Sequence, residues 1–334
     1  MNPKLVMRIL AKTDIKTKLR LAKVLPKFGK ADEVTKCMLC PNMCLHVCPV
    51  FDVERRLTVS PSVKARLAYF AESEAFDALF HCLPCDACKN ACPIDISVDE
   101  VLAPFRSLGS SLVEKAVKKF ERDVLTARKD VEEREGRLLY FPGCRTFESG
   151  LYDITVEVLE KLGVDFAVRS DVVCCGMPYY ELGLVDKFKV EIDKLKAVAA
   201  EYEGVISNCP HCVHVMRENG IRAAHIIHVL KPVKLGGDIS YHDPCILARR
   251  LGVVDEPRRL LEGMGFVVHE PIYGGKETYC CGFGGIYRFV DEENAKKIAE
   301  RRREHFEYEI VTACPACSKA LDAKDIVELV WEGL

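Results

Sequence analysis

The cysteine pattern constrains this chain more than any other feature of its sequence. Eighteen cysteines occur in 334 residues, and every one belongs to a cluster with short, regular spacing. Secreted domains that are held together by disulfides do not space their cysteines in this way. Soft thiolates in such groups select iron–sulfur clusters or zinc, and they need a reducing compartment to remain available. The pattern therefore predicts a cytoplasmic metalloprotein.

The first eight cysteines form two runs, CMLCPNMCLHVCP and CLPCDACKNACP, which begin 45 positions apart. The second run has the C-x2-C-x2-C-x3-C-P spacing of bacterial two-cluster ferredoxins, and the first run carries one extra residue before its third cysteine. In those ferredoxins the fourth cysteine of each run binds the cluster of the other run. The predicted ligands of one cubane (set A) are Cys37, Cys40, Cys44 and Cys92, and those of the other (set B) are Cys48, Cys82, Cys85 and Cys88. A pair of zinc sites is the alternative, although zinc sites usually show two separated C-x-x-C halves.

The remaining ten cysteines form a larger repeat in which a single cysteine, a Cys-Cys-Gly triplet and a C-P-x-C pair follow one another. The first copy (set C) contains Cys144, Cys174, Cys175, Cys209 and Cys212, and the second copy (set D) contains Cys245, Cys280, Cys281, Cys314 and Cys317. The offset between the copies is 101 to 106 residues. Such an offset predicts two duplicated domains.

Both copies alternate between strand-like and helix-like segments. Strands are predicted at 137–141, 164–168 and 204–207 in the first copy, and at 239–241, 266–268 and 310–312 in the second. This alternation predicts a parallel sheet covered by helices in each copy. In such sheets the functional residues usually lie at the carboxyl ends of the strands, where both copies place cysteines. We therefore expect the two sheets to face each other with their cysteines directed inward.

The predicted fold is multidomain, with an α-helical ferredoxin domain followed by two duplicated α/β domains with parallel sheets. The ferredoxin domain is predicted at 1–110 and includes a basic N-terminal segment. A linker helix is predicted at 111–135, and the α/β domains at 136–232 and 233–334. The first thirty residues contain nine Lys or Arg and one acid. This segment could lie on an anionic membrane face or pack as a solvated helix on its own domain.

Each α/β copy carries five thiols, which is one more than a cubane binds. Adjacent cysteines point in different directions and therefore suit two different irons better than one. The residues leave open a free fifth thiol or a cluster of unusual shape. A redox disulfide between the adjacent cysteines is a further alternative, which the strained eight-membered ring and the three partner cysteines in each copy argue against.

These motifs, which cover residues 37 to 317, resemble those of the D subunit of heterodisulfide reductase, in which two ferredoxin runs precede two cysteine-rich CCG domains. Iron–sulfur subunits of glycolate oxidase, lactate dehydrogenase and anaerobic glycerol-3-phosphate dehydrogenase share this architecture. The resemblance implies that sets A and B hold two cubane [4Fe-4S] clusters, and that sets C and D hold up to two further four-iron clusters of non-cubane form. It also implies that a disulfide is split between those two clusters while the cubanes deliver single electrons.

The chain departs from the reductases at one position. Ile246 follows Cys245, where the reductases commonly have a histidine, and isoleucine cannot donate a proton. His242 is the candidate catalytic proton donor, with His211 as a second candidate, because both titrate near neutrality. A structural hydrogen bond at a strand end is the alternative role for His242. His225 and His228 are assigned no role.

The sequence also excludes several kinds of partner. No nucleotide-binding motif is present, and the net charge of −2 gives no reason to expect nucleic acid. No apolar run is long enough to span a membrane.

The leading interpretation is an iron–sulfur oxidoreductase subunit that reduces a thiol disulfide and takes electrons from a membrane cytochrome b-like subunit or a flavoprotein dehydrogenase subunit. It would be cytoplasmic or held at the inner membrane face by that partner. The alternative is an electron-transfer subunit of a flavin-dependent 2-hydroxy-acid or glycerol-3-phosphate dehydrogenase, and a zinc-bound structural adaptor is a distant third.

Overall fold

The N-terminal part of the chain is helical. The computed structural model describes residues 33, 36, 37, 40–70, 73–107, 111–126 and 131–334, so the basic segment at 1–30 lies outside the described residues. The α-helices are Pro49–Glu54, Pro61–Phe70, Ala87–Asn90, Val98–Arg106 and Ser111–Phe120, and the 3-10 helices are Met43–Val47, Leu57–Val59 and Ser73–Phe80. Among the described residues, no helix combines the length and the apolar character that crossing a bilayer requires. The predicted α-helical N-terminal region is confirmed.

Two four-stranded parallel sheets follow within the described residues. The strands of the first sheet are β1 (Leu138–Tyr140), β2 (Phe166–Ala167), β3 (Gly204–Ser207) and β4 (Ala223–His225), in the order β2-β1-β3-β4. Those of the second are β5 (Gly237–His242), β6 (Phe266–His269), β7 (Glu309–Thr312) and β8 (Lys324–Asp325), in the order β6-β5-β7-β8. The identical strand order confirms the predicted duplication of an α/β domain with a parallel sheet.

Helices connect the strands in both α/β domains, as parallel pairing requires. The first domain contains the α-helices Cys144–Glu148, Leu151–Lys161, Met177–Glu181, Val185–Ala199 and Pro210–Glu218 and the 3-10 helix Ile226–His228. The second contains the α-helices Cys245–Arg249, Asp255–Gly263, Tyr287–Val290, Glu292–Arg303, Pro315–Leu321 and Ile326–Glu332 and the 3-10 helix Gly275–Glu277.

Strands β4 and β8 were not predicted from the sequence. Their residues, Ala-Ala-His and Lys-Asp, form no apolar or β-branched run of the kind that predicts a strand. Pairing with β3 and β7 defines them instead. His225 is the last residue of β4 and is buried, with Nε2 2.9 Å from the carbonyl oxygen of Asn208, whereas His228 is exposed.

The linker is helical over only part of the length predicted for it. The helix Ser111–Phe120 continues as a π-helical turn, Glu121–Leu125, but 131–135 is not helical. Arg134 instead forms an antiparallel bridge with Val168, just beyond β2. The prediction of a helix through 135 is therefore wrong at its C-terminal end. The bridge covers part of the outer edge of β2, where unpaired backbone groups would otherwise remain.

The two α/β domains share one hydrophobic core. Buried residues from the first domain, including Tyr140 and Ile206, pack in the same cluster as Tyr241 and Val311 from the second. The helices Leu151–Lys161 and Ile326–Glu332 lie against each other across this core. Because burial of apolar surface is the main stabilising contribution to folding, this packing fixes the two sheets relative to each other.

Arg250 connects the N-terminal region to the second α/β domain. It follows the helix Cys245–Arg249, and its side chain is only 9% exposed. Its Nε lies 2.8 Å from Oδ2 of Asp86, and an Nη lies 3.4 Å from Oδ2 of Asp99. Both carboxylates are buried, so this guanidinium compensates two charges at the contact between the domains.

Arg250→Met is expected to weaken this contact strongly. Asp86 would lose its buried cationic partner, and breaking a buried ion pair typically costs about 3–5 kcal/mol. Hydrogen–deuterium exchange of peptides that contain Asp86 and Asp99 measures the effect as faster exchange. Arg259→Met is the matched control, because Arg259 is 69% exposed and its 3.7 Å pair with Glu256 should contribute less than about 1 kcal/mol. Equal exchange in both variants would contradict this role of Arg250.

Candidate metal centres and the cavity between the sheets

Sets A and B gather in two neighbouring cavities of the N-terminal region. All four cysteines of set A line a cavity of about 310 Å³, and all four of set B line a smaller one of about 20 Å³. Cys92, from the second run, lies with set A, and Cys48, from the first run, lies with set B. Cys88 borders both cavities. The structure thus brings together the cysteines of the two crossed groups that the spacing predicts.

A buried lysine accompanies set B. Lys64 is 1% exposed, and its Nζ donates a hydrogen bond to the carbonyl oxygen of His81 at 2.7 Å. Burial acts to lower the pKa of Lys64, but negative charge on Cys82 and Cys48 outweighs burial and raises it. The ammonium group therefore stays charged beside thiolates, whose negative charge it stabilises.

Four cysteines of sets C and D lie at the N-termini of helices that follow the central strands. Cys209 and Cys314 are the N-caps of Pro210–Glu218 and Pro315–Leu321, and both helices begin with proline, whose fixed φ suits that position. Cys144 and Cys245 are the first residues of their helices. The partial positive charge of a helix N-terminus favours thiolates and anionic clusters.

The two adjacent cysteines of each triplet have different partner cysteines. In set C, Cys174 approaches Cys144, whereas Sγ of Cys175 lies 3.5 Å from Sγ of Cys212. In set D, Sγ of Cys280 lies 3.8 Å from Sγ of Cys245, and Sγ of Cys281 lies 3.3 Å from Sγ of Cys317. Two adjacent cysteines can therefore bind different irons of one cluster.

The donor sets fit iron–sulfur clusters. All eighteen cysteines are free thiols, and all ten in sets C and D are buried. Protein zinc sites take four ligands, whereas each α/β domain gathers five thiols. Gly143 has φ 72°, and a Cβ atom there would lie 2.9 Å from Sγ of Cys212, so glycine provides room for that sulfur.

Sets C and D meet at one cavity between the α/β domains. It has a volume of about 50 Å³ and is lined by four cysteines from each set, namely Cys144, Cys175, Cys209, Cys212, Cys245, Cys281, Cys314 and Cys317. Glu181 and His211 also line it. The strand order explains why the cysteines of each set converge. Strands β1 and β3 are neighbours in the first sheet, and β5 and β7 are neighbours in the second. In each sheet the strand order changes sides between these two neighbours, which leaves a crevice at their carboxyl ends.

Glu181 is the acidic side chain of this cavity. It is 1% exposed, and no side chain hydrogen-bonds to its carboxylate among the described residues. Nε2 of His211 lies 4.0 Å from Oε1. Burial, followed by the charge of Asp99, raises the pKa of Glu181 to about 8. Glu181 is therefore protonated at neutral pH and can donate a proton into the cavity. Sequence reasoning missed it, because nothing in the sequence distinguishes a glutamate that will be buried without a partner.

The two histidines selected from the sequence occupy different positions. His211 lines the shared cavity, and burial, together with Arg250, lowers its pKa to about 3. His242 is fully buried at the end of β5 and is not among the residues that line the cavity. Nε of Arg302 donates to Nδ1 of His242 at 3.1 Å, and burial lowers the pKa of this histidine. Both imidazoles are thus neutral at pH 7.

Set B contacts set D directly. The side chains of Cys85 and Cys280 pack in one buried cluster with Cys48 and Cys245, and each of the two thiols shifts the pKa of the other. Nη1 of Arg249 also donates to the carbonyl oxygen of Cys85 at 2.8 Å. The N-terminal region is thus attached to the second α/β domain through the cysteines themselves.

The family comparisons cover most of the described chain. Residues 33–96 match a 4Fe-4S dicluster domain, and residues 138–217 and 239–322 each match a cysteine-rich domain. These matches indicate that the chain binds 4Fe-4S clusters. No solved structure matches the chain at a significant level.

Several curated relatives share these domains. The B subunit of the fumarate reductase (CoM/CoB) of Methanothermobacter marburgensis is 26% identical over 75% of this chain, which spans 58% of the length of that relative. The D subunit of the dihydromethanophenazine:CoB–CoM heterodisulfide reductase of Methanosarcina barkeri is 26% identical over 79% of this chain and 80% of its own length. Lactate utilization protein A of Bacillus licheniformis is 30% identical over 47% of this chain and 75% of its own length.

Proposed function

Because this chain belongs to the iron–sulfur proteins in which a 4Fe-4S dicluster domain precedes two cysteine-rich domains, we propose that it is the redox subunit of a complex and reduces a thiol disulfide. The observation that carries the proposal is the single cavity lined by cysteines of both set C and set D. Sets A and B would each hold a cubane, and sets C and D would each hold a non-cubane four-iron cluster. When bound, these clusters would supply the single electrons for the reaction.

The reaction requires two electrons and two protons, because a disulfide is reduced to two thiols. Glu181 can provide one proton from its buried carboxyl group, since its raised pKa keeps it protonated at neutral pH. His211, on the same cavity wall, is neutral, and its Nε2 lies 4.0 Å from that carboxyl group. The second proton would come from solvent as the first thiol product leaves.

The arrangement of cysteines supports a direction for electron flow. Cys40 and Cys92 of set A and Cys82 and Cys88 of set B are partly exposed, whereas all cysteines of sets C and D are buried. Cys85 of set B in turn contacts Cys280 of set D. Electrons would therefore enter at set A from a membrane cytochrome b-like or flavoprotein subunit and pass through set B to set D. A membrane partner would hold the chain at the inner face of the membrane.

A second candidate function is electron transfer without disulfide chemistry. The similarity to lactate utilization protein A favours it, because the identity with that relative is the highest of the three, although it covers less of the chain. In this case the chain would carry electrons from a flavin-dependent 2-hydroxy-acid dehydrogenase, and the cavity would bind no disulfide.

An assay of the anaerobically purified protein tests the proposal. Four filled clusters correspond to about sixteen irons per chain. With reduced viologen as electron donor, we expect this protein to reduce a disulfide, with the CoB–CoM heterodisulfide, oxidised glutathione and cystine as probes. Full iron content without turnover of any of them would favour the electron-transfer function. Stoichiometric zinc with almost no iron would contradict both functions.

A further inference from the structure

The surroundings of sets C and D differ at one equivalent position. Tyr140 and Tyr241 each lie four residues before the first cysteine of their set. The next residue is Phe141 in the first α/β domain and His242 in the second, and both side chains are buried. The duplication therefore preserves the strand and the cysteine but replaces an apolar ring with a polar one.

Set C has apolar neighbours on the side of Phe141, and the buried charge of Arg145, which acts on Cys144 and Cys209, is paired with Glu148 at 2.7 Å. Phe141 packs in one hydrophobic cluster with Cys175, Cys209 and Cys212. Ile192, Leu195, Val198 and Ala199, from one face of the helix Val185–Ala199, complete this part of the cluster. These described residues therefore give set C neither a side-chain hydrogen bond nor a charge from this side.

Set D has a hydrogen-bond donor in the corresponding place. Arg302 cannot accept a hydrogen bond, so the 3.1 Å contact from its Nε makes Nδ1 of His242 the acceptor. The proton of the neutral imidazole is then on Nε2, for which no nitrogen or oxygen partner is present among the described residues. A ring nitrogen of His242 and the Sγ atoms of Cys281 and Cys317 all lie within 4.8 Å of one another. The free N–H of the ring therefore faces sulfur.

Arg302 adds a positive charge behind this histidine. Its side chain is completely buried, and its other hydrogen bonds are to the carbonyl oxygen of Tyr273 and to Nδ1 of His305. Within the part of the chain that the structure describes, no carboxylate forms an ion pair with it, and Asp243 pairs with Arg258 instead. Asp243 acts on the charge of Arg302 from a distance, together with Cys317 and Cys281 of set D, but its direct ion pair is with Arg258.

We propose that His242 and Arg302 make the cluster of set D easier to reduce than the cluster of set C, with His242 as a positioning residue that donates Nε2–H to Cys281. The inference rests on the proposed function, in which both sets hold clusters. One-electron reduction adds negative charge to a cluster, and hydrogen bonds to its sulfurs together with nearby positive charge stabilise that charge. At set C, Phe141 offers no such hydrogen bond, and the nearby charge of Arg145 is paired with Glu148. Electrons that arrive through Cys85 therefore reduce the set D cluster first.

Redox titration of the full chain, followed by electron paramagnetic resonance, tests this inference. In His242→Phe, which introduces the residue found at the equivalent position of the first domain, we expect the reduction potential of one cluster to shift to a lower value while the other three stay unchanged. His242→Gln should retain most of the original potential, because its amide N–H can donate in place of Nε2. His228→Phe is the matched control at an exposed histidine and should change no potential.

Unchanged potentials in His242→Phe, with full iron content, would overturn the inference and leave the proposed function intact. Loss of one cluster's iron in both His242→Phe and His242→Gln would also overturn it, because His242 would then be needed to hold the cluster rather than to tune it. Absence of cluster iron from the unaltered protein would contradict the proposed function itself.

Discussion

Replacing Cys281 with serine is expected to remove the set D cluster and to abolish disulfide reduction. Sγ of Cys281 lies 3.3 Å from Sγ of Cys317 and borders the shared cavity, so its loss takes a soft ligand from the centre of the proposed site. Serine is nearly the same size but provides a hard oxygen ligand. Iron content should fall by about four per chain, which is one [4Fe-4S] cluster, and the signals of the two cubanes should remain.

Cys175→Ser is the matched control at the equivalent position of set C. It should remove one cluster and also stop turnover, but electrons should still reach set D from set B, because Cys85 and Cys280 remain in contact. Cys85→Ser should instead interrupt the electron supply from the partner. If the Cys281→Ser protein kept full disulfide reductase activity, a mechanism that uses both clusters would be wrong.

Glu181→Gln is expected to slow disulfide reduction by about 10²-fold or more, as the loss of a general acid typically does. Glutamine has the same shape but cannot release a proton. The pKa of Glu181 is raised to about 8 by burial first, so the proton-donating form is present below that pH and is lost above it. The rate of the unaltered protein should therefore fall as the pH rises through about 8, and this decrease should disappear in the variant.

Two measurements distinguish this role from a purely structural one. Iron content and cluster potentials should stay unchanged in Glu181→Gln, while the pH profile changes. Glu218→Gln, at an exposed glutamate, should alter neither the rate nor the pH profile. A normal pH profile in Glu181→Gln would exclude Glu181 as the proton donor.

The sequence predicted the elements that depend on local pattern. The six predicted strands, β1 to β3 and β5 to β7, follow from apolar runs, four of which lead to cysteines, and the two-domain repeat follows from the 101-to-106-residue offset. Strands β4 and β8 were not predicted, because their extended conformation is recognised only from their pairing with β3 and β7. The linker helix ends early because Arg134 pairs with Val168, a contact that no local pattern encodes.

The sequence by itself determined which residues form the metal-binding motifs, because ligand spacing is a local property of the chain. Only the tertiary structure decided how those motifs meet. It joined sets C and D at one cavity, attached set B to set D through Cys85 and Cys280, and placed His242 beside Cys281 rather than among the cavity-lining residues. It also buried Glu181 with no side-chain partner among the described residues. These properties depend on burial and on distances between distant segments, which arise only when the two sheets pack on a common core.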